Sequence, residues 1–469
     1  MAFSNPVDTA SSGNPLVDGL LWGKHWSDGS AATTSLAVYI AGVSGNEQFD
    51  FGGTLVTANT VSEEAAAFQQ AMAMFESFCN IDFTVASSQA DADIIAGAVN
   101  NRDAGGALGI ATPPGEDTGP LATQQGSVII NFKAYQTDDL SSLEVGGYDF
   151  ISFIHEFGHA VGLKHPHDRG GGVFPKFPGV NGAFGDFGDF DLNQGIFTMM
   201  SYNDGFPAGP DGEQSPSAMP GFGWEGTPMA LDIAAMQHLY GANMSYRTGN
   251  DVYTLPILNQ AGTYYSCIWD AGGIDAINAG GSDNCVINLN AASLQLKPGG
   301  GGYVSMHAGI FGGFTIANGA VIENASSGAG NDKLIGNKVG NVMAAGNGAD
   351  KLKGGQGADF LFGQGGADTF IYARARDSRD SAIDTITDFI QGEDTIDLSR
   401  IDGDGKSGTA GLFDFIGSGA FTGTAGELRF GPVSSSSTVI EADINGDGNG
   451  DFTIILQGGF TLLSTDFDL

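Results

Sequence analysis

A strict period of nine residues constrains what the second half of this chain can fold into. Asp332, Asn341, Asp350, Asp359 and Asp368 recur every nine residues, with glycines before them, as in Gly354-Gly355-Gln356-Gly357-Ala358-Asp359-Phe360-Leu361-Phe362. Two positions beyond each stands an apolar residue: Leu334, Met343, Leu352, Leu361 and Phe370. Such a unit reads as a short strand pointing its apolar residue inward, beside a tight glycine-rich turn with carbonyls facing out. Stacked turns present Asp carboxylates and carbonyls to Ca²⁺, a hard cation that takes about six to eight oxygens. Without the cation the acids repel one another and the glycine-rich turns lose much entropy on ordering. A disordered Gly/Asp linker would not keep a period of nine. Two repeats depart from the pattern: Asn337 to Asn341 lacks the aspartate, and Gln364 replaces a glycine.

Charge narrows the partners. Acids outnumber bases 54 to 18, for a formal net charge of -36. Nucleic acid and anionic membranes are poor partners for such a surface, which is either solvating or occupied by cations. Glycine supplies 75 of 469 residues, over twice its usual share. This length exceeds one compact core, so about two or three domains are expected. No apolar run approaches a membrane span. Met1 to Pro15 is polar and lacks the basic and apolar regions of an N-terminal secretion signal.

Reactive groups concentrate in one stretch, His155-Glu156-Phe157-Gly158-His159-Ala160-Val161-Gly162-Leu163-Lys164-His165. His155 and His159 are four residues apart, so both rings leave one face of a helix about one turn apart. Phe150, Ile154, Phe157 and Val161 fall on the opposite face at core spacing. Gly162 can take the left-handed conformation that ends a helix, letting His165 deliver a third nitrogen. Three neutral imidazoles with an open fourth position suit one catalytic Zn²⁺. Glu156, next to the first ligand, is placed to take a proton from metal-bound water.

Other elements follow from periodicity. Residues 1–34 read as a leader whose Leu16, Val17, Leu20, Leu21, Trp22 and Trp26 pack onto the next domain. Its His25 is a possible zymogen ligand, though a solvated histidine is the simpler reading. Ser35 to Gly42 alternates as a strand. A helix follows, with Ser62 as N-cap and Phe68, Met72, Phe75 and Cys79 as its buried stripe, making Cys79 an inert core thiol. Strands are expected at Ile81 to Val85, Ile94 to Ala98 and Ser127 to Phe132. The histidine helix is expected from Tyr148 to Leu163.

The eleven-residue stretch, followed by Thr198-Met199-Met200-Ser201-Tyr202, resembles the metzincin signature with its methionine turn, and the serralysin subfamily in particular. That subfamily has Ser where this chain has Thr198. Resemblance implies that Met200 floors the metal and that Tyr202 is a movable fifth zinc ligand and catalytic residue. Asp232 to Asn243 resembles the helix closing the serralysin catalytic domain. Arg247-Thr248-Gly249-Asn250-Asp251 and Trp269 to Asp275 resemble the two halves of its first calcium site. This implies donors at Arg247, Gly249, Asp251, Asp270, Gly272, Gly273 and Asp275, with Asn250 as the alternative to Asp251. The repeats resemble RTX nonapeptides, implying calcium donors at Gly328, Gly330 and Asp332, at Asn337, Val339 and Asn341, and at Gly346, Gly348 and Asp350. The later turns add Gly355, Gly357, Asp359, Gly366 and Asp368, and Glu323 stands where the family has a calcium-binding Glu. Asp384 to Phe389, Gly392 to Ser399 and Asp443 to Phe452 also resemble serralysins. The tail Asp466-Phe467-Asp468-Leu469 is similar to the C-terminal signal read by type I (ABC) exporters, although Asp468 breaks the apolar run.

The architecture implied by the resemblance is a pro-segment over residues 1–34, removed on activation, and then an α+β metzincin-type protease domain over residues 35–245. An all-β parallel β-roll and β-sandwich domain follows over residues 246–469. The implied protein is a secreted monomeric zinc endopeptidase, with several structural Ca²⁺ ions and protein or peptide substrates. Rival readings are a calcium-binding adhesion protein with a vestigial N-terminal domain, which would need no zinc, and a metal hydrolase acting on something other than peptides. Cys267 and Cys285 lie outside the resemblance. They are 18 residues apart, the length of one full coil, and adjacent parallel strands lie about 4.8 Å apart. That separation is within disulfide reach, and an oxidising exterior would preserve the bond. Two separate buried thiols are the alternative.

Overall fold

The computed structural model describes residues 4–30, 32–51, 54–116, 126–135, 140–209, 214–216, 221–405 and 413–469. Ile81–Val85, Thr34–Ile40, Ile94–Val99 and Gly126–Asn131 pair in parallel, in that order. Gly109–Ala111 adds antiparallel to Gly126–Asn131 at the edge. Ile94–Val99 and Gly126–Asn131 are buried along their whole length, as strands covered on both faces must be. Leu36, Val38, Ile94, Ala96, Val128 and Ile130 face a helical layer. Alternate residues Ala37, Ile95, Val99 and Ile129 pack instead on Phe49 and Val56 of the Glu47–Phe51/Thr54–Ala58 hairpin.

The helical layer consists of α1 (Pro15–Asp18), α2 (Ser62–Phe78), α3 (Tyr148–Ala160) and α4 (Ala230–Tyr240). In α2, Phe68, Met72 and Phe75 are buried as the periodicity requires. The Phe68 ring meets Phe153 of α3 edge-on at 4.8 Å between centroids. Ser62 is the first helical residue rather than the cap. Glu64 closes the end by accepting the Val61 N–H at 2.8 Å. α3 stops at Ala160, three residues before the expected end, because Gly162 already turns the chain at φ +114°.

The N-terminal segment is built into this core. Leu16, Leu20, Leu21 and Trp26 are buried. Trp26 Nε1 donates to the Ala160 carbonyl at 2.7 Å, and the Trp22 N–H donates to the Gly162 carbonyl at 2.9 Å. His25 packs edge-on against Tyr240, with Nδ1 2.9 Å from the Thr9 hydroxyl. Neither partner belongs to the histidine stretch.

Past α4 the chain coils into two facing sheets. Asn324–Ser326, Val342–Ala344 and Phe360–Phe362 run in parallel register in one, and Lys333–Ile335, Lys351–Lys353 and Thr369–Ile371 in the other. Leu334, Met343, Leu352, Leu361 and Phe370 are at most 1% exposed between them. The first sheet continues into the antiparallel Phe452–Gln457, Ser437–Asp443 and Glu427–Ser434. Among the described residues no helix is long and apolar enough to cross a membrane.

The Cys267–Cys285 bond is not formed: Cys79, Cys267 and Cys285 are all free thiols. Cys267 stands in register with Thr315, and Cys285 with His307, in different sheets. The reason is the coil length. In the regular repeats one coil is 18 residues, as from Asp332 to Asp350, but earlier it is 48, as from Asn278 to Ser326. An 18-residue spacing ahead of the repeats therefore does not bring two residues together. Thiol titration of the unfolded, unreduced chain is expected to read three thiols. A reading of one would contradict this pairing.

Candidate active site

Helix α3 presents two histidines because its other face is spent on the core. Phe150, Phe153, Ile154 and Phe157 are fully buried, which fixes the helix rotation and turns His155 and His159 away from that core. The turn after α3 is closed by the Leu163 N–H donating to the Gly158 carbonyl at 2.8 Å. At Gly162 a Cβ would stand 2.8 Å from the Lys24 carbonyl oxygen, so positive φ and close approach both call for glycine there. Leu163 then pairs with Leu21, and His165 comes back over the helix.

The three rings meet. His165 Nε2 lies 3.1 Å from His155 Nε2 and 2.9 Å from His159 Nε2. Each Nδ1 faces an acceptor: the Met199 carbonyl for His155 (2.8 Å), the Leu163 carbonyl for His159 (3.0 Å) and Asp168 Oδ2 for His165 (2.8 Å). Nδ1–H must therefore be the donor in each ring, leaving an Nε2 lone pair aimed at the common point. Burial pushes the ring pKa values down to about 3 for His155 and His159 and about 4 for His165, so the rings are neutral. Lone pairs this close repel unless a cation lies between them. Tetrahedral Zn–N bonds of about 2.0–2.1 Å would set the nitrogens roughly 3.3–3.4 Å apart, so the donor set fits a metal ion.

Glu156 is buried beside this point, and burial raises its pKa to about 8. It lines one cleft with His155, Tyr202 and edge residues Leu108 and Gly109. The Tyr202 ring sits 4.6 Å from that of His165. Burial first, then the Glu156 charge, pushes its phenol up to about 12, keeping it protonated. Met200 is fully buried beneath α3, where a Cβ on Gly158 would come within 2.8 Å of its Sδ.

Three supporting residues were not singled out from the sequence. Asp168, three residues beyond His165, orients that ring. Asp232 of α4 pins the methionine turn: Oδ2 accepts the Met199 and Met229 N–H groups at 2.8 and 2.9 Å, and Oδ1 accepts the Thr198 hydroxyl at 2.6 Å. Thr198 thus has its own hydroxyl bond at the position where it departs from the subfamily pattern. Gly109 abuts Glu156, and a Cβ there would stand 2.6 Å from Glu156 Cγ.

The acidic positions of the roll also converge. Asp251, Asp270 and Asp275 bring carboxylate oxygens within 4.8 Å of one another. Asn250 Oδ1 instead accepts the Ile274 N–H, so Asp251 is the member of this pair that joins the cluster. Glu323 Oε2 accepts the Asp275 N–H at 2.8 Å. Arg247 holds φ +47°, with its guanidinium over the Tyr253 ring at 4.9 Å. The Gly249 carbonyl packs on Gly273, whose neighbour Gly272 also has positive φ.

In the repeats, Oδ1 of Asp350, Asp359 and Asp368 accepts the N–H of Asp332, Asn341 and Asp350 one coil back. The second oxygens of Asp332, Asp350, Asp359 and Asp368 are buried without a partner. Carbonyls of Gly328, Gly330, Asn337, Val339 and Gly348 pack on Gly346, Gly348, Gly355, Gly357 and Gly366 of the next coil. Orphaned anionic oxygens among carbonyls are the environment that a hard cation fits. Burial pushes Asp350 up to about 6 and Asp359 and Asp368 up to about 7. Asn341 differs, because its Oδ1 takes the Asn337 N–H and its amide donates to the Glu323 carbonyl.

Gly109→Ala tests the packing around Glu156. The backbone at 109 has no positive φ, so only the collision with the carboxylate opposes alanine. The variant is expected to fold and keep its metal while hydrolysis slows about tenfold to a hundredfold. Peptide hydrolysis with metal analysis checks this, and an unchanged rate would show that the carboxylate tolerates displacement.

The family model for the serralysin C terminal of peptidase M10 matches residues 230–468. Metallopeptidase AprA of Pseudomonas marginalis is 32% identical over 437 residues, covering 89% of this chain and 80% of that protein. Serralysin of Proteus mirabilis is 34% identical over 361 residues, covering 72% and 67%. Serralysin C of Dickeya chrysanthemi is 36% identical over 316 residues, covering 65% and 59%. With a family model over half its length and relatives of this identity along most of it, the chain belongs to the serralysin family of metalloendopeptidases.

Proposed function

We propose that this chain is a secreted zinc endopeptidase held in its folded form by calcium. The observation that carries the reading is the convergence of three neutral Nε2 lone pairs beside a buried carboxylate. His155, His159 and His165 would hold Zn²⁺, with Tyr202 as a further, movable ligand. The bound ion supplies Lewis-acid polarisation of the scissile carbonyl and lowers the pKa of water. Glu156 takes the proton from the attacking water and passes it to the leaving amine. Tyr202, protonated and beside His165, donates a hydrogen bond to the carbonyl oxygen as negative charge grows there. Extended protein or peptide segments would bind along the edge strand Gly109–Ala111, which pairs on one side only among the described residues.

Several Ca²⁺ ions would occupy the roll, at Asp251, Asp270, Asp275 and Glu323 and at the stacked turns from Gly328 to Asp368. The C-terminal residues would serve type I (ABC) export, with the enzyme acting outside the cell as a monomer. N-terminal processing that reached Leu16 to Trp26 would open the core behind the third histidine, so this part of the segment stays with the enzyme.

Glu156→Ala tests the mechanism. The variant is expected to bind zinc as the wild type does and to lose casein hydrolysis by about 10²–10⁴-fold, whereas a zinc chelator stops the wild type reversibly. Substantial casein hydrolysis by the variant would sink the assignment of Glu156.

Calcium removal tests the roll. Each site is expected to add about 2.7 kcal/mol when free calcium is a hundredfold above its dissociation constant. A calcium chelator should lower the thermal midpoint of the full chain and diminish its β circular dichroism. An unchanged midpoint and spectrum would refute calcium stabilisation.

A further inference from the structure

The cleft beside Glu156 carries a charge that hydrolysis does not use. It has a volume of about 340 Å³ and is lined by Leu108, Ile151, Phe184, Tyr148 and Asp204 as well as by Glu156. Leu108 and Phe184 are exposed at its rim. Asp204 Oδ2 accepts the Tyr148 hydroxyl at 3.2 Å, so a phenol positions this carboxylate. Glu225 stands directly behind, with Oε2 accepting the N–H of Gly205 at 2.9 Å and Oε1 buried without a partner. Among the described residues, no lysine, arginine or histidine forms an ion pair with either carboxylate. The cleft therefore sets the Asp204 carboxylate, which burial pushes up to about 6, beside apolar side chains with no ion-pair partner, while burial pushes Glu225 up to about 8 and so keeps it the more protonated of the two.

We propose that this cleft is a substrate subsite selective for lysine or arginine at one position flanking the scissile bond, with Asp204 as its specificity-determining residue. The inference rests on Glu156 and the three histidines being the reaction centre, because that placement sets the cleft next to the bond being cut. A lysine or arginine side chain matches both parts of the cleft. Its methylene stem lies along Leu108, Ile151 and Phe184, and its cation meets the carboxylate. A neutral side chain of similar length fills the same space but leaves the Asp204 carboxylate desolvated and without a counter-charge. An acidic side chain adds repulsion from Asp204 and from the whole chain, whose net charge of -36 favours cationic segments at long range.

The test uses the full-length, zinc- and calcium-loaded enzyme. Its substrates are quenched fluorescent peptides carrying Lys, Arg, Met or Glu at each of the two positions flanking the cut. Lys and Arg are expected to exceed Met in kcat/KM by about tenfold or more at one position, with Glu the poorest. In Asp204→Asn the Lys/Met and Arg/Met ratios should collapse toward one. Both peptides are measured on one preparation, so the ratio does not depend on how much of the variant folds. Tyr148→Phe, which loses the phenol that positions the carboxylate, should lower the ratio part of the way. Cleavage by the wild type without cation preference at either position overturns the subsite and leaves the catalytic reading standing. A preference that persists in Asp204→Asn also overturns the role of Asp204. Failure of the wild type to cut any of the peptides overturns both readings.

Discussion

The hydrogen bond from His155 Nδ1 to the Met199 carbonyl ties together the parts on which the centre depends. It joins α3 to the methionine turn, and the turn is held in its own right by Asp232 of α4. A ring able to rotate about its side-chain bonds thus has one orientation and one tautomer, with its free lone pair aimed at the common point. The cost of burying Asp232 is met by three donors: two backbone N–H groups and the Thr198 hydroxyl. The geometry of the three rings thus depends on segments of the chain remote from them in sequence.

The third histidine needs a different support, because it lies beyond the end of the helix. Residues 20–22 supply it as a strap. The Lys164 N–H donates to the Leu20 carbonyl, the Trp22 N–H to the Gly162 carbonyl, and Lys164 Nζ is satisfied by the Gly19 and Asp168 carbonyls. Among the described residues Lys164 forms no ion pair with a carboxylate, and burial lowers its pKa to about 8. Its ammonium therefore acts as a hydrogen-bond hub rather than half of an ion pair. It links the N-terminal segment to the loop whose Asp168 orients His165.

In the roll, one principle repeats. Asp350, Asp359 and Asp368 each use one oxygen to hold the preceding coil and leave the other buried without a partner. The first role needs only a hydrogen bond, and the second suits a hard cation. Where Asn341 replaces aspartate, the amide finds protein partners for both ends. That turn closes on itself, so the array is not uniform along the coil.

The sequence alone determined the features whose geometry is set by short covalent spacing. Residues i and i+4 must share a helix face, and so His155, His159 and Glu156 were legible. Apolar residues two beyond each aspartate had to point inward, and so Leu334 to Phe370 were legible as a core. Features that join distant segments were decided only by the tertiary structure. Asp232 is 33 residues from the turn it pins. Gly109 and Asp204 join Glu156 in one cleft from opposite sides of the chain order. The 48-residue coil that separates Cys267 from Cys285 has no internal period to announce it. Local spacing encodes direction, whereas contact between remote strands depends on how much chain each coil takes up, and here that length changes partway along the roll.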